Sequence, residues 1–167
     1  MAATKIRQKG YTEAAIFASR HSYFATSQRV QAFISSCERL GIETDEKYIL
    51  KGSSTRNGGY EIGKQYAALK EPPKMIFCDS DAIALGALRA FHEEGISVPG
   101  DAELLSIGML DPEAASYYVP SLSVVEMPNK EIGQQVLRLM RKKVLNNDMS
   151  SEHVKVHAKL MLRESFS

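Results

Sequence analysis

Short apolar runs alternate along this chain with longer amphipathic stretches, and that alternation limits the folds open to it. Residues 13–18 (EAAIFA), 47–51 (KYILK), 74–78 (KMIFC), 104–107 and 122–125 read as strands. Between them the apolar period changes to that of a helix. Val30, Phe33, Ile34, Cys37 and Leu40 recur at helical spacing over residues 27–40, and Gly41 supplies the stop. A second helix is expected from an Asn57 cap to Leu69, with Tyr60, Gly63, Tyr66 and Ala67 on its inner face and Pro72-Pro73 after it. A third should be capped by Asp81 and bury Ile83, Ala84, Ala87, Leu88 and Phe91, with Gly95 and Pro99 closing it. Pro128 opens a fourth, carrying Ile132, Val136, Leu139 and Met140 inward. The tail alternates Val154, Val156, Ala158, Leu160 and Leu162 with Lys155, His157, Lys159, Met161 and Arg163, as a half-buried strand or strand pair does.

Strand and helix in strict alternation imply a mostly parallel sheet with right-handed crossovers and helices on both faces, a three-layer α/β/α domain. The 167 residues fit one such domain, with 44% hydrophobic residues to build its core. No internal repeat, low-complexity stretch or linker divides it.

Bulk chemistry narrows the function classes. Twenty-one Lys and Arg against 20 Asp and Glu leave a formal net charge of +1, without the basic excess of a chain that grips phosphate backbones. The one basic cluster, Arg138, Arg141, Lys142 and Lys143, sits near a predicted helix end, where cations suit the macrodipole. Cys37 and Cys78 lie in apolar surroundings and read as buried free thiols, so a reducing cytoplasm is expected. No apolar run is long enough to cross a bilayer, and MAATKIRQKG has no apolar core of a secretion signal.

In open parallel sheets, ligands sit beyond the carboxyl ends of the strands. Here that selects the loops 19–27, 52–57, 79–81 and 108–111. They carry the hydroxyls of Ser19, Ser22, Thr26, Ser27, Ser53, Ser54, Thr55 and Ser80, the carboxylates of Asp79, Asp81 and Asp111, and Arg20, His21, Arg29 and Arg56. Such a rim gives and accepts hydrogen bonds as a polyol requires. Arg29, placed in the first turn of its helix, opposes the macrodipole, which favours a ligand role as much as a surface one. Catalytic and metal motifs do not compete. Gly58 to Lys64 has the GxxxxGK spacing, but position 65 is Gln and the segment reads as helix. The four histidines are scattered without metal-ligand spacing, and no GxSxG is present. No cofactor is called for.

The run IFCDSDAIALGALRAFHEEGISVPGDAELLSIGMLD, then YYVPSLSVVEMPNKEIGQQV and the closing LMLRES, closely resembles the LacI/GalR transcription regulators. KGYTEAAIFAS, SQRVQAF and GSSTRNGGY match the family's upstream stretches, so the resemblance covers essentially the whole chain. It implies a type I periplasmic-binding-protein-like lobe that binds a small effector, a sugar or sugar derivative. Residues 1–167 would form the C-terminal lobe, with the helix over 128–150 and part of the tail crossing to an N-terminal lobe. That lobe and the helix-turn-helix head that would meet operator DNA lie mostly outside this sequence. No enzymatic activity is implied.

Carried over by position, Arg29 matches the arginine that hydrogen-bonds the effector. Ser80 and Asp81 fall on an Asn-Asp pair whose first member reaches the ligand and whose second caps the helix. Ser54 stands where several relatives stack an aromatic ring on the sugar, and Leu110 where an aspartate usually grips sugar hydroxyls, with Asp111 one residue later. Either Asp111 substitutes, or the effector is less polar, phosphorylated or different in kind; Arg29, Arg20 and His21 would suit an anion. The resemblance also implies a homodimer through the outer face of the helix after Asp81, with Leu85 and Arg89, and through Tyr117 and Tyr118. Packing of both tyrosines in the core is the alternative. Two rival functions stay open: a solute-binding protein of the same fold serving a transporter, and a small flavodoxin-like enzyme using Asp79 or Asp81.

Overall fold

The computed structural model describes residues 1–20, 24–108, 113–146 and 150–167. Its centre is one six-stranded sheet in the order β2-β1-β3-β4-β5-β6. The strands are β1 (Ala15–Ser19), β2 (Ile49–Gly52), β3 (Met75–Cys78), β4 (Glu103–Gly108), β5 (Ser123–Glu126) and β6 (Lys159–Met161). The first five run parallel, and β6 adds antiparallel at the edge with Leu160 opposite Val125. Helices cover both faces, so β1 and β3 are buried at every position. That is why these segments read as unbroken apolar runs. The expected three-layer, mostly parallel α/β architecture is the one observed.

Alternate strand residues feed two cores. Phe17, Ile76 and Leu104 pack under α3 (Arg56–Ala67) and α4 (Asp81–Glu94), with Ile62, Tyr66, Ile83 and Phe91 from the helices. Ile16, Phe77 and Leu105 pack on the other face under α1 (Ala2–Gln8) and α2 (Phe24–Arg39), with Ile6, Phe33 and Cys37. Both cysteines are free and buried. Burial, reinforced by Glu38, pushes the Cys37 thiol up to about 12. Complete burial beside Asp79 raises that of Cys78 well above its ordinary value, so neither is a thiolate at neutral pH.

Several elements differ from the sequence reading. Thr55 caps α3, accepting from the Gly58 N–H at 3.1 Å, so Asn57 falls inside the helix. The buried face of α3 is Gly58, Gly59, Ile62, Gly63 and Tyr66, rotated from the expected one. The rotation follows from backbone contact: a Cβ on Gly59 would lie 2.2 Å from the Ile83 carbonyl oxygen, and one on Gly86 would lie 1.9 Å from that of Arg56. Gly59 and Gly63, within the stretch that imitates a phosphate loop, are thus part of the surface on which α3 and α4 meet, while Gly58 lies against Ser53.

Helix α1 escaped notice because its only buried side chains are Ala3 and Ile6, too few for a visible period. The tail is a strand only at β6; residues 150–158 run without regular structure. The closing L-x-x-R-x-S also gains a physical account. The Ser165 hydroxyl accepts from the Ser123 N–H at 2.8 Å and donates to the Leu104 carbonyl at 2.7 Å, while Arg163 donates to the Leu122 carbonyl at 2.8 Å. These bonds seat Phe166 in the core with no exposed surface.

Helix α5 (Asn129–Asn146) departs most from expectation. Ile132 and Leu139 face Val154 and Val156 across a cavity of about 290 Å³, but Val136, Leu137, Met140, Val144 and Leu145 are exposed. Of the residues expected inward, Ile132 and Leu139 are half-buried, whereas Val136 and Met140 find no core among the described residues. Among the described residues the nearby basic cluster is partly neutralised, with Arg138 and Lys142 both reaching Glu152.

Candidate functional site

The two ends of the sheet differ in chemistry. At the amino ends, Lys9 bridges to Glu103 at 2.7 Å and lies over the Phe166 ring, closing that edge. Burial there, together with Glu103, pushes the Tyr11 phenol up to about 12. The carboxyl ends of β1 to β4 instead lead into loops rich in polar side chains.

The β3–α4 turn is the best-defined part of this rim. Ser80, in extended backbone, caps α4 by accepting from the Ile83 N–H at 3.4 Å, and Asp81 is the first helical residue, nearly buried. The cap therefore differs from the expected one: Ser80 holds the helix end, and Asp81 is not its cap. A hydroxyl suffices for capping and its short reach fits the turn, while a carboxylate one residue later complements the positive end of the helix.

Asp79, immediately before them, is only 1% exposed. Its Oδ2 accepts from the Ser19 N–H at 2.7 Å and its own N–H donates to Phe17 O, stitching the end of β3 to that of β1. Its Oδ1 is buried without a hydrogen-bond partner. Burial raises the Asp79 carboxyl above the usual range; the Ser19 N–H, the nearby Ser80 hydroxyl and the positive charge of Arg29 pull against that shift. A buried acceptor left unpaired costs roughly 1–3 kcal/mol, and more when charged, so such a group calls for an explanation.

Arg29 lies on α2 and also borders a cavity of about 320 Å³ lined by Phe33, Phe77, Ile107, Val125 and Met127. Because α2 begins at Phe24, Arg29 is in its second turn, beyond the reach of the end charge. The argument from an opposed dipole falls away; the coupling to Asp79 takes its place. Ser54 is exposed in the β2–α3 loop, on the other side of β1 from Asp79. Beside it the Ser53 and Thr55 hydroxyls bond to one another at 2.8 Å. Leu110 and Asp111, like His21 and Ser22, lie outside the described residues. The structure thus places Ser80 and Asp81 with Asp79 in one turn, leaves Arg29 on α2 with its charge acting on Asp79, and sets Ser54 apart.

Elsewhere, Leu85 is half-buried on α4, and Arg89 is exposed and pairs with Glu93 at 2.7 Å. Tyr117 is 76% exposed, whereas Tyr118 packs against the core, so the two neighbours divide between the alternatives. Among the described residues no group of three or more His, Cys, Asp or Glu could hold a metal ion. No described helix is long and apolar enough to cross a membrane.

Comparison with known proteins agrees with this fold. Residues 3–166 match the model of the periplasmic binding protein-like domain family. The HTH-type transcriptional repressor PurR of Mannheimia succiniciproducens is 26% identical over 165 residues, covering 99% of this chain and 49% of that protein. The chain spans about half the length of the curated relatives it matches. Among solved structures, a LacI family transcription regulator from Clostridium acetobutylicum superposes with a TM-score of 0.91 at 30% identity, over 97% of this chain and 60% of the other. One from Enterococcus faecium with bound ribose does so at 0.84 and 20% identity, over 99% and 60%. The chain belongs to the periplasmic binding protein-like domain family and has the effector-domain fold of the LacI/GalR regulators.

Proposed function

We propose that this chain is the C-terminal lobe of the effector-binding domain of a LacI/GalR-type repressor. It would answer a small polar effector, a sugar or sugar derivative, at the carboxyl ends of its sheet. The observation that carries the reading is the polar Asp79–Ser80–Asp81 turn at the carboxyl end of β3, where a parallel sheet places its ligands. The relatives named as repressors favour a regulator over a solute-binding protein or an enzyme. No bond is made or broken: an effector that binds one inter-lobe angle better than another shifts the population toward it, and paired DNA-binding heads outside this sequence would sense the change. The exposed apolar face of α5 supports its assignment as a crossing helix that packs on an N-terminal lobe.

The test is thermal stabilisation by ribose, cellobiose, ribose 5-phosphate and adenosine, with Arg29→Ala as the comparison. A probe at a hundred times its dissociation constant should add roughly 2.7 kcal/mol. The variant is expected to bind about 10- to 100-fold more weakly, as loss of a charged hydrogen bond implies. Unchanged affinity in the variant would remove Arg29 from the site.

Pairing is part of the same reading: Leu85, Arg89 and Tyr117 would face a second copy, with Tyr118 supporting them from the core. Sedimentation should show a dimer at micromolar concentration, and Tyr117→Glu should shift it to monomer. A wild-type monomer throughout that range would take the interface out of the proposal.

A further inference from the structure

We infer that Asn57–Gly58 is a latent deamidation site gated by the first turn of α3, shielded while that turn is closed and converted irreversibly when it opens. Of the four asparagines in the chain, Asn57 alone is followed by glycine. A glycine has no side chain to hinder its own amide nitrogen, so that nitrogen can reach back to the asparagine side-chain carbonyl. Asn57 is exposed to the water that completes the reaction.

Packing requires the glycine. A Cβ at position 58 would lie 2.1 Å from the Ser53 carbonyl oxygen and 2.6 Å from the Ser53 nitrogen, both backbone atoms. The reactive step is therefore built into the fold, and two contacts hold it back. The Gly58 N–H donates to the Thr55 hydroxyl at 3.1 Å, the helix cap, which occupies the attacking nitrogen. Asn57 Nδ2 donates to Glu61 Oε1 at 2.9 Å, which draws the side chain along α3 toward the next turn. Helical backbone at Asn57 adds a third barrier, because ring closure needs ψ to rotate out of the helical range.

Once the turn opens, the Gly58 nitrogen attacks Asn57 Cγ. The N–Cγ bond forms, the Cγ–Nδ2 bond breaks, and Nδ2 leaves as ammonia with the proton that the Gly58 nitrogen gives up. Water then opens the cyclic imide at either carbonyl, leaving aspartate or isoaspartate at position 57. Isoaspartate adds a methylene to the main chain between Thr55 and the Gly58 nitrogen, so the cap loses its register and α3 cannot close as before.

Trypsin cuts after Arg56 and Lys64 and releases residues 57–64 as one peptide, in which mass spectrometry reads the conversion. The intact chain is incubated at mildly alkaline pH in native buffer and in guanidinium chloride. Beside it stand Thr55→Val, which removes the capping oxygen, and Thr55→Ser, which keeps it. Conversion in native buffer should run at least roughly 30-fold slower than in denaturant, the factor set by the closed turn. Thr55→Val should raise the native rate about 5- to 30-fold, as loss of a cap implies, and Thr55→Ser should leave it within about twofold of the wild type. Equal rates in native buffer and denaturant would overturn the inference without recourse to any variant. A folded Thr55→Val chain that converts at the wild-type rate would overturn the gating by the cap.

Discussion

Gly86→Ala should destabilise the domain by roughly 3 kcal/mol or more, at or above the upper end of overpacking costs. The added methyl would sit 1.9 Å from the Arg56 carbonyl oxygen, 2.5 Å from the Tyr60 nitrogen and 2.8 Å from the Gly59 carbonyl carbon. All three are backbone atoms, so no side-chain rotation relieves the contact; α3 and α4 must separate along their common face. Urea denaturation should show the loss, as a fall of about 10 °C in melting temperature would for a chain of this size. Gly133→Ala is the matched control. That glycine lies on α5 with nothing within 4 Å of a new Cβ, and the same methyl should stabilise by about 0.4–1 kcal/mol. Equal effects at the two positions would refute the argument from close approach.

Phe17→Ala should cost about 3–5 kcal/mol, the range for deleting a buried aromatic ring. Phe17 has no exposed surface, and its ring meets those of Tyr66 and Phe91 edge-on at 5.5 and 6.3 Å. Those two also touch one another at 5.3 Å, so the three rings form a closed cluster that cannot collapse into the void without moving α3 or α4 off β1. Phe33→Ala on the opposite face should cost less. Its ring stacks on Phe77 at 3.9 Å but borders the cavity of about 320 Å³, where a void can open to water. Equilibrium unfolding of the two variants gives the comparison directly, and a larger loss for Phe33→Ala would contradict this account of the two cores.

The fold was readable because apolar period and strand order carry it. Five of the six strands declared themselves as short apolar runs, and the helices between them by spacing. The errors cluster where tertiary contact overrides local pattern. The face of α3 was misplaced because Gly58, Gly59 and Gly63 look like weak helix formers in sequence, whereas backbone approach makes them the buried side. The cap of α4 went to Asp81 on propensity alone, although Ser80 has equal capping ability and the better position. Helix α5 was expected to turn inward because its period is sound; what a sequence window cannot show is that Val136 and Met140 meet no apolar surface among the described residues. At the site, Arg29 and the Asp79–Asp81 turn were legible as chemistry. That Asp79 keeps one oxygen tied and the other unpaired was not, because the tie comes from Ser19, sixty residues earlier in the chain.

Seating Phe166 and Ser165 between β4 and β5 also bears on how the domain is made. A ribosome delivers Leu105 and Ile107 long before Phe166, which shares their core, and the Leu104 carbonyl waits 61 positions for the Ser165 hydroxyl. Until Ser165 and Phe166 clear the exit tunnel, the growing chain presents an incompletely covered sheet face. The interval before they emerge is thus when this domain most needs a chaperone, although all six strands have by then been synthesised.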